Sequence, residues 1–291
     1  MKTAQNHSCP DLQDLPDALT TPKPRTRQPR AKGTLLLQCR NSVRGTELAD
    51  LRHSGSMKAL FPRISGTDLQ AVFLNTAGGI TGGDQFSVRA RVDDNASLTM
   101  TSQAAERAYR ALAGETGRFS VELKAGRGAR LNWLPQETLL YDDCALHREM
   151  KVDLAQDASF LAVEPIVFGR TAMGEDLTRA DFRENWRVRR GKDLIFADTF
   201  RLLGDAKAQL AHPAIAGGAR AMASVLFVAP NADGYLDRLR PRMSATSGVS
   251  LIRPGVLFAR FLAADSFLLR KDLIPVLELL NQSPLPRTWM F

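Results

Sequence analysis

Short runs in which every second residue is apolar recur along almost the whole chain, and they rule out most architectures other than stacked β-sheets. They include Thr34–Cys39, Thr46–Leu51, Ala71–Leu74, Gln85–Val92, Ser97–Thr101, Arg118–Lys124, Arg130–Leu134, Glu149–Leu154 and Phe160–Phe168. A period of two places alternate side chains on opposite faces of an extended strand, so each run has one face to bury. The clearest pair is Trp186–Arg190 and Leu194–Asp198, joined through Gly191-Lys192-Asp193, where glycine supplies the positive φ of a tight hairpin. Arg187 and Arg189 share one face there, opposite Trp186, Val188 and Arg190, which predicts a half-solvated antiparallel pair. Helical texture is confined to Ala104–Ala113, which is rich in helix formers, Ala232–Leu239, and Phe267–Asn281, which Pro275 should split or kink. The expected fold is mainly β: a large multi-stranded antiparallel architecture with a few short helices, one near the C-terminus.

Residues 1–32 have a different texture. Pro10, Pro16, Pro22, Pro24 and Pro29 punctuate them, with few large apolar side chains, so a disordered or loosely docked basic tail is expected before a β-rich domain over 33–291. The domain has an ordinary composition: 44% of the chain is hydrophobic and 24% charged, enough to bury a core without being membrane-like. No apolar stretch reaches the roughly 20 residues of a spanning helix, and the N-terminus has no apolar signal region, so a cytoplasmic protein is expected. Three cysteines, Cys9, Cys39 and Cys144, have no CxxC spacing and are expected to be free thiols. The net charge of +8 does not point to nucleic acid. Part of it lies in the tail, and arginines such as Arg107, Arg110, Arg187 and Arg189 alternate with other residues without the aromatics a single-strand binder uses.

Two stretches invite chemistry. In Leu74-Asn75-Thr76-Ala77-Gly78-Gly79-Ile80-Thr81-Gly82-Gly83-Asp84 the two Gly-Gly pairs suggest a phosphate loop, but no lysine follows, Asp84 would repel phosphate, and a strand comes next. Tight turns, or a turn that presents a surface to a partner, are the better readings. Asp142, Cys144 and His147 offer an acid, a thiol and an imidazole within a short span, the basis of an alternative in which the chain is a metal-centred small-molecule enzyme. No GxSxG elbow is present. The adjacent acids Asp93-Asp94 and Glu175-Asp176 point to opposite faces in an extended chain, which disfavours concerted acid–base work. The closing Trp289-Met290-Phe291 is expected to tuck into the core.

Several segments together resemble the urease accessory protein UreD family, called UreH in some systems. They are AGGITGGD ending at Asp84, Thr101–Arg110 (TSQAAERAYR), Leu134–Thr138 (LPQET) and Phe168–Glu175 (FGRTAMGE), followed by Arg260–Ala263 and the terminal Pro286-Arg287-Thr288-Trp289. They occur in the family's order from about Gly33 to the last residue. Gly55–Lys58 and Cys144 depart from the pattern. The resemblance implies a non-catalytic scaffold that binds apo-urease and UreF, with the GTPase UreG reached through UreF. The resemblance also implies no tightly bound cofactor, with nickel expected only in transit toward the urease active site. It further implies Asp84, Glu137 and Glu175 as acids near the nickel route. Gly78, Gly79, Gly82, Gly83, Tyr109, Arg110, Pro135 and Gln136 become candidates for partner binding or structural turns.

Overall fold

The chain buries its alternating strands by winding back and forth between two sheets. The computed structural model describes residues 28–170 and 173–290, so most of the expected tail, with Cys9, and Thr171, Ala172 and Phe291 lie outside the described residues. After the hairpin β1 (Lys32–Ser42) and β2 (Gly45–Gly55), the chain crosses to a second sheet for β3 (Met57–Leu60) and β4 (Leu69–Asn75). It then alternates: β5 (Gln85–Val92) returns to the first sheet and β6 (Ser97–Ser102) to the second. β7 (Glu106–Ala108) is a short accessory strand. β8 (Gly117–Ala125) lies in the first sheet and β9 (Arg130–Trp133) in the second, and after the short β10 (Thr138–Leu140) come β11 (Cys144–Leu154) in the first and β12 (Ser159–Phe168) in the second.

The hairpin β13 (Arg179–Arg190) and β14 (Asp193–Asp205) ends the first sheet. A short helix, α1 (Ala206–Ala211), leads to β15 (Ala221–Val228), and α2 (Leu236–Leu239) precedes β16 (Gly248–Arg253), β17 (Val256–Ala263) and α3 (Ser266–Asn281). The first sheet has the order β14-β13-β11-β8-β5-β1-β2, and the second β16-β17-β15-β12-β9-β6-β4-β3.

The expectation of an antiparallel architecture is corrected. β1, β5, β8, β11 and β13 are parallel neighbours in the first sheet, as are β4, β6, β9 and β12 in the second; antiparallel pairs occupy the flanks. Alternation in sequence reports that one face is buried but not which way the neighbouring strand runs. Direction follows from connections that cross to the opposite sheet before returning, which gives a solenoid-like stack.

Burial explains why the two sheets read differently. β5, β8 and β13 alternate because their outer face meets solvent. β12 and β15 are buried almost throughout, because sheet two packs inward against sheet one and outward against α3 and the C-terminal segment. Thus Phe160, Ala162 and Ile166 face the inter-sheet core, whereas Leu161 and Val163 face the outer one with Leu273, Leu277 and Trp289.

The predicted hairpin at Gly191 is present, with Arg190 opposite Asp193, Gly191 at φ +60°, and Trp186 and Val188 buried. The expected helix over Ala104–Ala113 is absent. Glu106–Ala108 instead pairs in parallel with β10, the Ile80 amide donates to the Arg107 carbonyl at 2.7 Å, and the Tyr109 amide donates to the Ile80 carbonyl at 2.8 Å. Helix propensity of a few tenths of a kcal/mol per residue yields to these partners. Pro275 does not divide α3, which runs unbroken from Ser266 to Asn281; its buried Leu269, Leu273, Val276 and Leu277 anchor both sides of the proline. Trp289 is buried as expected, but Met290 is exposed. Among the described residues no helix is long and apolar enough to cross a membrane.

Candidate functional site

The same alternation that builds the inter-sheet core carries charge into it. On β11, Arg148 is in phase with the buried Leu146, Met150 and Val152. On β13, Glu184 is in phase with Phe182, Trp186 and Val188, and on β12 Glu164 shares the inward face of Ala162 and Ile166. Arg148 and Glu184 are register partners on adjacent parallel strands. Glu164 reaches across from the opposite sheet: its Oε2 lies 2.9 Å from Arg148 Nη1, and its Oε1 accepts a hydrogen bond from Trp133 Nε1 at 2.7 Å. Arg148 Nη2 also pairs with Glu184 Oε1, and Nη1 donates to Thr138 Oγ1 at 2.6 Å. The guanidinium carbon stands 5.4 Å from the centre of the Phe182 ring.

These groups border an internal cavity of about 150 Å³, with Glu106, Gln136, Trp133 and Trp186 also in its wall. Glu106 accepts from Asn75 Nδ2 at 3.2 Å and from the Arg107 amide at 3.1 Å. The wall therefore carries the carboxyls of Glu106, Glu149, Glu164 and Glu184 against the guanidiniums of Arg107 and Arg148. Burial raises the pKa of Glu106. Burial also raises Glu184, to about 7, overcoming the pull of Arg148. Burial works against the Arg148 cation too, but Glu164 and Glu184 outweigh it and hold the guanidinium above its ordinary range.

The sign of the Glu184 shift makes a pH prediction. Because the folded-state pKa is raised, the folded protein binds the extra proton between the ordinary carboxylate range and about 7. The associated stability is complete below that window and is lost as pH rises through about 7. Glu184→Gln should flatten thermal stability between about pH 5 and pH 8 relative to the parent, as read by melting at a series of pH values.

The Gly-Gly segment forms one rim of this region. Gly78 lines the cavity at φ +80°, and its carbonyl accepts from Tyr109 Oη at 3.2 Å. A Cβ on Gly79, at φ +155°, would stand 2.2 Å from Tyr109 Cε2, so the close approach itself requires glycine. Gly82 and Gly83 lie further along, against Glu115 and Arg30. Pro135 and Gln136 line the cavity, whereas Arg110 is exposed and pairs with Asp142 and Asp143.

The three acids implied by the resemblance are not brought together. Asp84 is buried, with Oδ1 accepting from the Ala31 amide and Oδ2 from the Thr81 amide, both at 2.8 Å. Arg30, in the same N-terminal segment, pairs with Glu115. Glu137 accepts from Arg270 Nη1 at 2.8 Å, and Glu175 pairs with Arg170 while accepting from the Asp142 amide at 3.1 Å.

The other candidate cluster disperses as well. Cys144 and His147 are three residues apart on β11, and an odd spacing on a strand sends them to opposite faces. His147 Nε2 meets Asp181 Oδ1 at 3.1 Å, while Asp142 accepts from the Thr178 amide and hydroxyl and from the Arg179 amide. Among the described residues, no three His, Cys, Asp or Glu side chains are grouped to hold a metal ion.

Burial first, then nearby Asp93 for Cys39, pushes the Cys39 thiol up to about 12; burial likewise pushes Cys144 up to about 12. Neither should react in the folded state with iodoacetamide near pH 8, where only the thiolate attacks. Mass spectrometry of the natively labelled protein checks this, with both thiols modified after denaturation.

Arg148, Glu164 and Glu184 were missed in the sequence, although each is a charged residue occupying a phase otherwise reserved for apolar side chains.

The family model described as UreD urease accessory protein matches residues 31–290. The chain is 47% identical over 262 residues to the urease accessory protein UreD of Roseobacter denitrificans, covering 90% of this chain and 96% of that protein. It is 51% identical over 239 residues to UreD of Ruegeria pomeroyi, covering 82% and 93%. With UreD 3 of Bradyrhizobium sp. strain BTAi1 it shares 42% identity over 263 residues, covering 90% and 94%. A match that runs through both sheets and the C-terminal segment, at this level of identity, makes the chain a member of the UreD family of urease accessory proteins.

Proposed function

We propose that this chain is a non-catalytic cytoplasmic scaffold of urease maturation, which binds apo-urease and UreF, with UreG joined through UreF, while nickel crosses its interior past Glu106, Glu164 and Glu184. The observation that carries this reading is the set of carboxylates in the inter-sheet cavity, where apolar packing would otherwise be expected. Burying unneeded charge is costly, and an ion pair between the sheets is at best neutral compared with apolar packing, so its presence calls for a role beyond stability. Carboxylate oxygens suit a divalent cargo that must enter and leave, and among the described residues of the wall the one sulfur is the Met150 thioether, with no thiolate to retain the ion. Asp84, Glu137 and Glu175 do not line this cavity, which gives them a weaker case for the route. Phe267 and Leu268 on the first turn of α3, and Met290 after Trp289, expose apolar surface that a partner would cover.

The test uses a urease-positive host. Without this protein, urease should assemble but contain little nickel, and Glu164→Gln should lower the nickel content of urease by about fivefold or more, consistent with loss of a charged group worth roughly 1–3 kcal/mol. Urease with a full nickel complement in the deletion strain would overturn the reading. Metal analysis of purified urease separates nickel delivery from effects on urease synthesis.

A further inference from the structure

We propose that Arg148 is an exchangeable counter-ion that occupies the seat nickel takes between Glu164 and Glu184, so that cargo displaces the guanidinium instead of entering an empty site. This rests on the interior route proposed above and adds the residue that regulates it.

Four observations carry it. Arg148 bridges an acid from each sheet through its two terminal nitrogens, which is where a divalent cation would join them. Its Nε, also buried, has no hydrogen-bond partner, so one donor of the bridging arginine is left unsatisfied inside the protein. The adjoining cavity of about 150 Å³ gives the guanidinium somewhere to go. Gln136, 6% exposed and also in the cavity wall, has an amide Nε2 without a partner while its Oε1 is held by Arg270 Nη1 at 2.9 Å. A buried amide left unsatisfied is a cost that an arriving water or hydrated ion would remove.

The arrangement explains how an acid-lined interior avoids retaining metal. One guanidinium bridges the two carboxyls through separate nitrogens until a cation with two charges competes, which balances both acids where the guanidinium balances one. When nickel leaves, Arg148 returns and restores the pairing. The exchange moves no electrons and breaks no bond within the protein's heavy-atom framework.

The experiment measures thermal stability with and without nickel chloride for the whole chain and three variants. Nickel should raise the Tm of the parent only slightly, because displacing Arg148 offsets most of the gain from binding. Arg148→Gln opens the seat, so nickel should raise its Tm by about 5 °C or more at roughly 100 times Kd, because the ion binds only the folded state. Arg148→Lys, which keeps the charge but presents one point of contact, should fold and show a smaller rise. Arg148→Gln with Glu164→Gln should lose the rise.

Equal nickel responses in the parent and both single variants would overturn the exchange. A failure to reproduce the rise in Arg148→Gln, alongside impaired nickel delivery by Glu164→Gln, would sink the exchange and leave the route standing. A rise in Arg148→Gln with unimpaired delivery by Glu164→Gln would keep the exchange and remove the route. If Arg148→Gln does not fold, the Arg148→Lys comparison decides, an unchanged Tm with nickel counting against the proposal.

Discussion

Replacing Trp289 with alanine is expected to lower stability by about 3–5 kcal/mol, the range for removing a fully buried large aromatic side chain. Its ring is 1% exposed within the outer core that joins sheet two to α3. The indole N–H donates to the Leu134 carbonyl at 3.0 Å, so alanine also strands an acceptor next to the cavity wall. Arg270 adds a second connection, with its guanidinium 5.0 Å from the ring centre and Nη2 donating to the Trp289 carbonyl at 3.1 Å. The same arginine holds Gln136 and Glu137 at 2.9 and 2.8 Å, so loss of the ring loosens the segment that carries both. Trp289→Phe should cost less than half as much, because it keeps most of the buried area and loses the N–H donor. Denaturant unfolding of the three proteins checks the order, and a Phe variant as unstable as the Ala variant would show that the hydrogen bond, not the packing, dominates.

Arg148→Ala is expected to cost a similar amount, about 3–5 kcal/mol, for a different reason. It removes the one cation between Glu164 and Glu184 and leaves them buried without compensation. Glu184 can take up a proton, since burial already raises its pKa to about 7, but Glu164 is left with only its hydrogen bond from Trp133 Nε1. Pairing Arg148→Met with Glu164→Gln should recover at least half of the loss, because removing both members of a buried pair avoids the stranded charge. A double variant as unstable as Arg148→Ala would place the cost in packing against the Phe182 ring.

Most of the strands were legible because each has one buried face, and the tight hairpin at Gly191 was legible from its turn chemistry. Ala104–Ala113 misled because its helix formers compete with backbone partners from the Gly-Gly segment and β10, which a local reading does not contain. Asp84 stood out beside its glycines, yet its oxygens are used in closing the turn and anchoring Ala31. Arg148, Glu164 and Glu184 stand far apart in sequence, and each looks like a lone charge on a strand until the register and the second sheet bring them into contact.

By itself the sequence determined the β-rich class, the family and the glycines at close approaches, because periodicity, motif order and positive φ are local properties of neighbouring residues. Only the tertiary structure decided that strands stack in parallel between two sheets, and that an arginine and two glutamates from three different strands share one seat. Strand direction depends on where long connections cross, and charge pairing across a core depends on distances that no local pattern encodes.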